Sequence, residues 1–168
     1  DGSAVSSSDK GTVVNDGTGS GVITEGPISI IYGGDGSGTY TNADTTLTIT
    51  VEADGSGTYS TTTTSIILNG NGGGNYSNAT AMESIINNGD GYGQFSKGTV
   101  TIINNGDGTG SYSDGKLTIQ NNGDGTATVN GATVTDAPKV EKVAKLGKFP
   151  PVESLKPVKS CGTVITLE

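Results

Sequence analysis

Apolar residues recur at fixed distances on either side of a short glycine-rich motif over most of the chain. Each motif is centred on an Asp or Asn that is followed by Gly, and successive centres lie 17 or 19 residues apart. In every copy after the first, an Ile stands five residues before the centre, and an aromatic residue or Val stands five residues after it. This periodicity predicts that residues 9–135 are seven tandem repeats of one structural unit.

The repeated positions fall into three sets. The centres, which are predicted to be turn tips, are Asp16, Asp35, Asp54, Asn71, Asp90, Asp107 and Asp124. The predicted core positions are Ile30, Ile49, Ile66, Ile85, Ile102 and Ile119 before the tips, and Tyr40, Tyr59, Tyr76, Phe95, Tyr112 and Val129 after them. The first copy has Gly11 and Gly21 at these places, which predicts a degenerate terminal cap.

The mirror symmetry around each tip predicts a β-hairpin. A three-residue loop such as 106–108 would place Ile102 opposite Tyr112, and each such pair of a β-branched and an aromatic residue contributes roughly 0.2–1 kcal/mol. The connection to the next repeat contains Asp114 and Gly115, which favour a two-residue turn that pairs Tyr112 with Leu117. The 19-residue copies are two residues longer in this connection, and an even difference keeps side chains on the same face.

Two all-β architectures fit this pattern. The favoured fold consists of tandem β-hairpin repeats that form an elongated antiparallel meander, whose fourteen strands would extend roughly 65 Å. The alternative is a β-solenoid in which each repeat is one coil. A second set of apolar residues favours the solenoid, because a sheet with one solvated face does not need apolar residues on both faces. These residues are Ile31, Ile67, Ile86 and Ile103.

Composition and charge narrow the classes of partner. Of the 168 residues, 30% are hydrophobic and 29 are Gly, and the formal net charge is −8. Residues 1–136 contain three Lys and fourteen Asp or Glu, whereas residues 137–168 contain six Lys and three Glu. An acidic array without Arg is poorly suited to binding nucleic acid. No apolar run has the length that spans a bilayer, so membrane insertion is not expected.

The C-terminal part of the chain differs from the repeats. Residues 136–158 are rich in Lys and Pro and are predicted to be a linker, in which Lys139, Lys142, Lys145 and Lys148 recur at three-residue intervals. The simplest interpretation of these Lys residues is a solvated face, and the alternative is contact with an acidic neighbour. Residues 159–168 are predicted to begin another domain or to form an assembly strand, with candidate intermolecular contacts at Cys161, Val164, Ile165 and Leu167.

Two family resemblances accompany these motifs. Residues 108–115 (GTGSYSDG) resemble part of the MORN repeat, which implies an elongated sheet of antiparallel hairpins. Residues 142–151 and 159–167 resemble the linker and first strand of the OmpA-like C-terminal domain of actinobacterial surface proteins. That resemblance implies non-covalent binding of peptidoglycan, through a domain beyond residue 168.

The side chains supply little catalytic chemistry. The chain has no His, and Cys161 has no obvious neighbouring base, so a nucleophilic triad is not expected. The repeated carboxylates occupy equivalent positions, whereas a catalytic pair needs two different environments. No cofactor or metal site is therefore predicted, although the tip Asp residues are a weak candidate for Ca²⁺. The favoured interpretation is that they stabilise turns through the backbone.

Together these features predict a non-enzymatic protein at the bacterial cell surface or outside the cell. Its expected role is a spacer, stalk or adhesin region in front of a cell-wall anchor. One alternative is a self-associating subunit of an extracellular filament, because open edge strands can pair between chains. Another is a module that binds a glycan or a host protein.

Overall fold

The computed structural model describes residues 2–137 and 140–141. These residues form one sheet of sixteen antiparallel strands, and each strand pairs with the strand before it and the strand after it in sequence. The strands are β1 (Ser3–Ser7), β2 (Gly11–Asp16), β3 (Ser20–Glu25), β4 (Ile28–Gly33), β5 (Gly38–Asn42), β6 (Leu47–Val51), β7 (Gly57–Ser60), β8 (Thr64–Leu68), β9 (Gly74–Asn78), β10 (Glu83–Asn87), β11 (Gly93–Lys97), β12 (Val100–Asn104), β13 (Gly110–Ser113), β14 (Thr118–Asn121), β15 (Thr126–Val129) and β16 (Ala132–Thr135). The predicted meander is confirmed, and the solenoid alternative is wrong.

The sheet has two more strands than the repeat pattern predicted. β1 lies within residues 1–8, which the sequence placed before the repeats, and it pairs with β2. β16 pairs with β15 through a turn at Asn130 and Gly131, whose φ angles are 47° and 85°. Positive φ at both positions is the signature of the type I′ turn that Asn-Gly favours. With about 4.8 Å between strands, the sheet measures roughly 70 Å across its sixteen strands.

The predicted core residues lie on one face of the sheet, in a single row. Successive side chains of a strand point to opposite faces, so cross-strand partners share a face. The row runs through Ile30, Tyr40, Ile49, Tyr59, Ile66, Tyr76, Ile85, Phe95, Ile102, Tyr112, Ile119 and Val129. We call this side the Ile/Tyr face. The pairing of Ile102 with Tyr112 is confirmed.

The first repeat is not degenerate, and its centre is Thr18 rather than Asp16. Asn15 pairs with Gly21, and Val13 pairs with Ile23, which in turn pairs with Ile30. Val13 and Ile23 therefore stand five residues before and after Thr18 and extend the Ile/Tyr row. With Asp16 as the centre, the expected core positions fall two residues too early in the sequence. Because two is an even number, the predicted strand faces are unaffected.

The turn at Asp114 also differs from its prediction. Tyr112 pairs with Ile119 rather than with Leu117. Asp114 is the first residue of the turn instead of a central one, because its Oδ1 accepts the backbone N–H groups of Lys116 at 2.9 Å and Leu117 at 2.8 Å. The turn is thus shifted by one residue from the predicted Asp-Gly type I′ turn, which moves the partner of Tyr112 by two residues.

The second apolar set lies on the face opposite the Ile/Tyr row, where it does not require a second sheet. Ile67 pairs with Asn75 and Ile103 with Ser111, whereas Ile31 pairs with Thr39 on one side and with Val22 on the other. Ile31 and Ile67 are exposed. Apolar residues are common on protein surfaces, so their presence on this face does not distinguish a solenoid from a meander.

Burial of the Ile/Tyr face changes along the sheet. In the N-terminal half, Ile30 and Tyr40 are 4% and 6% exposed and pack against partly buried side chains of neighbouring strands. In the C-terminal half, Ile85 and Ile102 are 42% and 43% exposed. The same repeated position therefore forms a core at one end of the molecule and an open apolar surface at the other.

Candidate functional site

The turn tips share one hydrogen bond. At each tip centre from Asp35 to Asp124, Oδ1 of the Asp or Asn accepts the backbone N–H group of the residue two positions later, at 2.8–2.9 Å. Asp16 makes the same bond to the N–H group of Thr18 at 2.8 Å. Asp16 stands two residues before the centre of its hairpin, whereas the other tip residues stand at the centre. These are Asx turns, and Asn71 makes one as well as the Asp residues do. The side chains of the predicted tip residues therefore stabilise the local backbone.

Hydrogen bonding lowers the pKa of several of these carboxyl groups. The hydroxyl and backbone N–H groups of Thr109 hold the pKa of Asp107 below its ordinary value, and Thr126 has the same effect on Asp124. Ser37 lowers the pKa of Asp35 in the same way. Hydrogen bonds to the charged form favour that form, so these carboxyl groups stay ionised to a lower pH than an ordinary Asp does.

A second Asx turn precedes some of the tips, and the sequence analysis did not find it. Oδ1 atoms of Asn87, Asn104 and Asn121 accept the N–H groups of Gly residues two positions later, at 2.8–2.9 Å. Each of these Asn residues lies three positions before a tip centre. The repeated Asn-Asn-Gly-Asp-Gly sequence was the available signal.

The tip Asp residues remain only a weak candidate for Ca²⁺. Within residues 2–137 and 140–141, no group of three or more Asp, Glu or Cys side chains is arranged to hold a metal ion. Adjacent tips are two strands apart, or about 10 Å. One oxygen of each tip carboxylate already accepts hydrogen bonds in its own turn.

The open half of the Ile/Tyr face contains an apolar groove of about 470 Å³. Its floor includes five residues of the Ile/Tyr row and glycines that lie three positions after the tip centres. Gly110 is buried, and a Cβ atom on it would lie only 2.6 Å from the carbonyl oxygen of Ile103, so a side chain does not fit there. The groove residues used below are Ile85, Phe95, Ile102, Tyr112, Ile119, Gly93 and Gly110.

The chain after β16 returns to this groove. The N–H group of Ala137 donates to the carbonyl of Gly125 at 2.9 Å, and that of Val140 donates to the carbonyl of Gly108 at 3.1 Å. The Val140 side chain lines the groove, with its Cγ2 atom 3.3 Å from the Cβ position that Gly110 leaves empty. The first described residues of the predicted linker are thus bound to the repeats.

The opposite face has a row of hydroxyl groups that the sequence analysis missed. A Ser or Thr stands six residues before and after nearly every tip centre, and these residues are cross-strand partners from β1 to β14. The row is Ser7, Thr12, Thr24, Ser29, Thr41, Thr48, Ser60, Ser65, Ser77, Ser84, Ser96, Thr101, Ser113 and Thr118. Ser and Thr alternate irregularly in this row, so neither residue type alone shows the period.

The two edge strands are exposed and uncharged. Every residue of β1 and of β16 is exposed, and Val5 and Val134 are 72% and 42% exposed. The preceding strand β15 pairs with both β14 and β16 and is therefore not an edge. Lys and Pro residues commonly block such edges, and neither β1 nor β16 contains one.

No protein-family model matches the chain, and no curated protein has significant sequence similarity to it. The residues that the structure describes include no helix that is long and apolar enough to cross a membrane. Cys161, Val164, Ile165 and Leu167 lie outside the described residues, so their intermolecular role remains a prediction. The resemblances to MORN repeats and to OmpA-like proteins also remain predictions.

Proposed function

We propose that this chain is a non-enzymatic spacer of the bacterial cell surface, which holds attached segments apart in front of a cell-wall anchor. The observation that carries the proposal is the local character of the fold. Substantial contacts within the described residues link each strand only to its neighbours in sequence. The length of such a ribbon grows in proportion to the number of its repeats, as it does in other repeat proteins.

The surface location rests on the C-terminal resemblance to OmpA-like surface proteins. A domain of that kind beyond residue 168 would bind peptidoglycan, and the repeats would be presented in front of it. The acidic, Thr- and Gly-rich repeats suit an exposed position, since net charge away from zero favours solubility.

A change in repeat number tests the spacer proposal. Deleting residues 91–107 joins Asp90 to Gly108, keeps an intact tip sequence and removes β11 and β12. The maximum dimension measured by small-angle X-ray scattering should fall by about 10 Å, and duplicating the same residues should increase it by about 10 Å. A compact particle whose maximum dimension does not follow the repeat number would contradict the proposal.

The exposed edges support a second candidate function, which is end-to-end assembly. β16 of one copy would pair antiparallel with β1 of the next, and the sheet would continue through both. Such a heterologous contact does not close into a ring unless the rotation between copies allows it, so it generates filaments. Sedimentation velocity at high protein concentration tests this candidate.

A further inference from the structure

After β16, the chain runs across the repeats, and its hydrogen bonds to them are regularly spaced. Ala137 and Val140 are three residues apart, and each donates its N–H group to the carbonyl of a Gly directly after a tip centre. Their acceptors, Gly125 and Gly108, are equivalent positions of successive repeats. The chain therefore passes one hairpin with every three residues, in the direction from β15 towards β12.

This step matches an extended chain with three residues per turn. Three residues in the polyproline II conformation advance about 9.3 Å, and successive tips are two strands apart, or about 9.6 Å. Next to Val140, the Nδ2 group of Asn104 donates to the carbonyl of Glu141, which adds a contact on the other side of the segment. Three residues of such a chain thus advance by nearly the spacing of successive repeats in the sheet. We call the path of this chain over the repeats the track.

The sequence beyond Glu141 continues the same period. Val143, Leu146 and Phe149 follow Val140 at three-residue intervals, and a Lys precedes each of them. In a conformation with three residues per turn, the apolar side chains share one side and the Lys side chains share another. The apolar side would suit the groove, and the Lys side would lie near acidic tips such as Asp90 and Asp107.

The next position along the track has the geometry of the occupied one. A Cβ atom on Gly123 would lie 3.3 Å from the carbonyl oxygen of Gly108, and a Cβ atom on Gly106 would lie 3.2 Å from that of Gly91. Gly91 therefore lies against the tip of the following repeat, which contains Gly106, in the same way that Gly108 lies against the tip that contains Gly123. Gly93 corresponds to Gly110, against which Val140 packs, and both glycines line the groove.

We propose that residues 142–149 bind along the Ile/Tyr face of their own chain, from this groove towards β7, in the register that Ala137 and Val140 establish. The N–H groups of Val143, Leu146 and Phe149 donate to the carbonyls of Gly91, Gly72 and Gly55. Their side chains lie over Gly93, Gly74 and Gly57 and reduce the exposure of Ile102 and Ile85. Pro150 and Pro151 end the track because proline has no N–H group to donate.

The same chain is the expected occupant because its own Val140 and Glu141 are already bound at the start of the track. The charges are also complementary, since residues 1–136 carry a net charge of −11 and residues 137–168 carry +3, counting Asp and Glu against Lys. One consequence is that whatever follows Pro151 leaves the ribbon near β6 and β7 rather than at its C-terminal end.

Amide hydrogen exchange of the full chain, measured by NMR, tests the proposal. The amides of Val143, Leu146 and Phe149 should exchange at least about tenfold more slowly than those of the intervening residues, because they alone bond to the sheet. Uniformly rapid exchange across residues 142–149 would refute the proposal.

Variants make the test specific. Replacing Val143, Leu146 and Phe149 together by Ser should abolish the three-residue pattern, while slow exchange in β5 and β6 confirms that the sheet is folded. The matched control replaces Ala144 and Gly147 by Ser and should retain the pattern. Protection that persists in the triple variant, or that disappears on dilution as a dimer dissociates, would overturn docking within the chain.

Discussion

Among individual residues, the tip carboxylates show how a repeated acidic position can be structural. Asn71 makes the same bond as the Asp residues without carrying a charge, at 2.8 Å to the N–H group of Gly73. The acceptor oxygen is therefore what the turn requires. The charge adds a dependence on pH, because hydrogen bonding lowers the pKa of Asp35, Asp107 and Asp124.

Acid titration of tip variants separates these two contributions. A carboxyl group whose folded-state pKa lies below its unfolded value of about 3.8 stabilises the fold above that value, and this stabilisation is lost as the pH falls through the folded pKa. The variant D35N/D107N/D124N should therefore be less stable than the wild type at pH 7, and it should lose less stability than the wild type as the pH falls below 3.8. Urea unfolding at a series of pH values measures this.

The alanine variant D107A provides the contrast. It removes the acceptor of the Thr109 N–H group, so it should be less stable than D107N at every pH. The reverse substitution N71D should make the loss of stability in acid steeper. Equal acid sensitivity of all these variants would show that the tip carboxylates do not govern it.

Strand faces depend on local features that recur along the chain, and this is why they could be predicted. Ile and aromatic residues alternate with polar ones at the period of a strand, and each Gly-rich tip reverses the direction. Pairing was harder to predict, as Asp114 shows. The dipeptide Asp-Gly allows more than one turn, and hydrogen bonds from Lys116 and Leu117 select the observed one.

Shortening a connection between two strands should lower the free energy of unfolding less than deleting a residue within a strand. Replacing the four-residue connection 79–82 by Asn-Gly, the turn that already joins β15 to β16, converts a 19-residue repeat to 17 residues and keeps Asn78 opposite Glu83. The free energy of unfolding should change by no more than about 0.5–1 kcal/mol, because shortening a surface loop has a small entropic effect.

Deleting Ser111 within β13 is the matched contrast. It moves Gly110 and Tyr112 to opposite faces, so the Ile/Tyr row is interrupted, and it should cost at least about 2 kcal/mol. Urea unfolding midpoints compare the two variants. A connection change as damaging as the strand deletion would mean that residues 79–82 contribute more than their connecting role.

For the molecule as a whole, one uncovered sheet leaves two consequences, an open apolar face and two open edges. The proposed docking of residues 142–149 concerns the face. The edges concern assembly, because β1 and β16 are the first and last strands of the sheet and have exposed Val5 and Val134. A spacer and a filament subunit differ chiefly in whether β16 of one copy pairs with β1 of another.

A single positive charge on an edge tests the assembly candidate. Wild-type protein should form larger species as its concentration rises, and V134K or V5K should suppress them, because an edge Lys opposes strand pairing. T118K is the control, since it adds the same charge at an exposed position of the interior strand β14. Sedimentation velocity reports the outcome, and a wild-type protein that stays monomeric would exclude this mode of assembly.

The amino-acid sequence was sufficient for the all-β class, the tandem hairpins, the Ile/Tyr row and the location of the tips. Each of these follows from interactions between residues that are close in the chain, such as Asx turns and alternation along a strand. Only the tertiary structure decided the number of strands and the frame of the first repeat. It also placed Val140 in a groove whose glycines come from residues 93–110. These features depend on pairing and packing between separate segments, for which periodicity within one repeat contains no information.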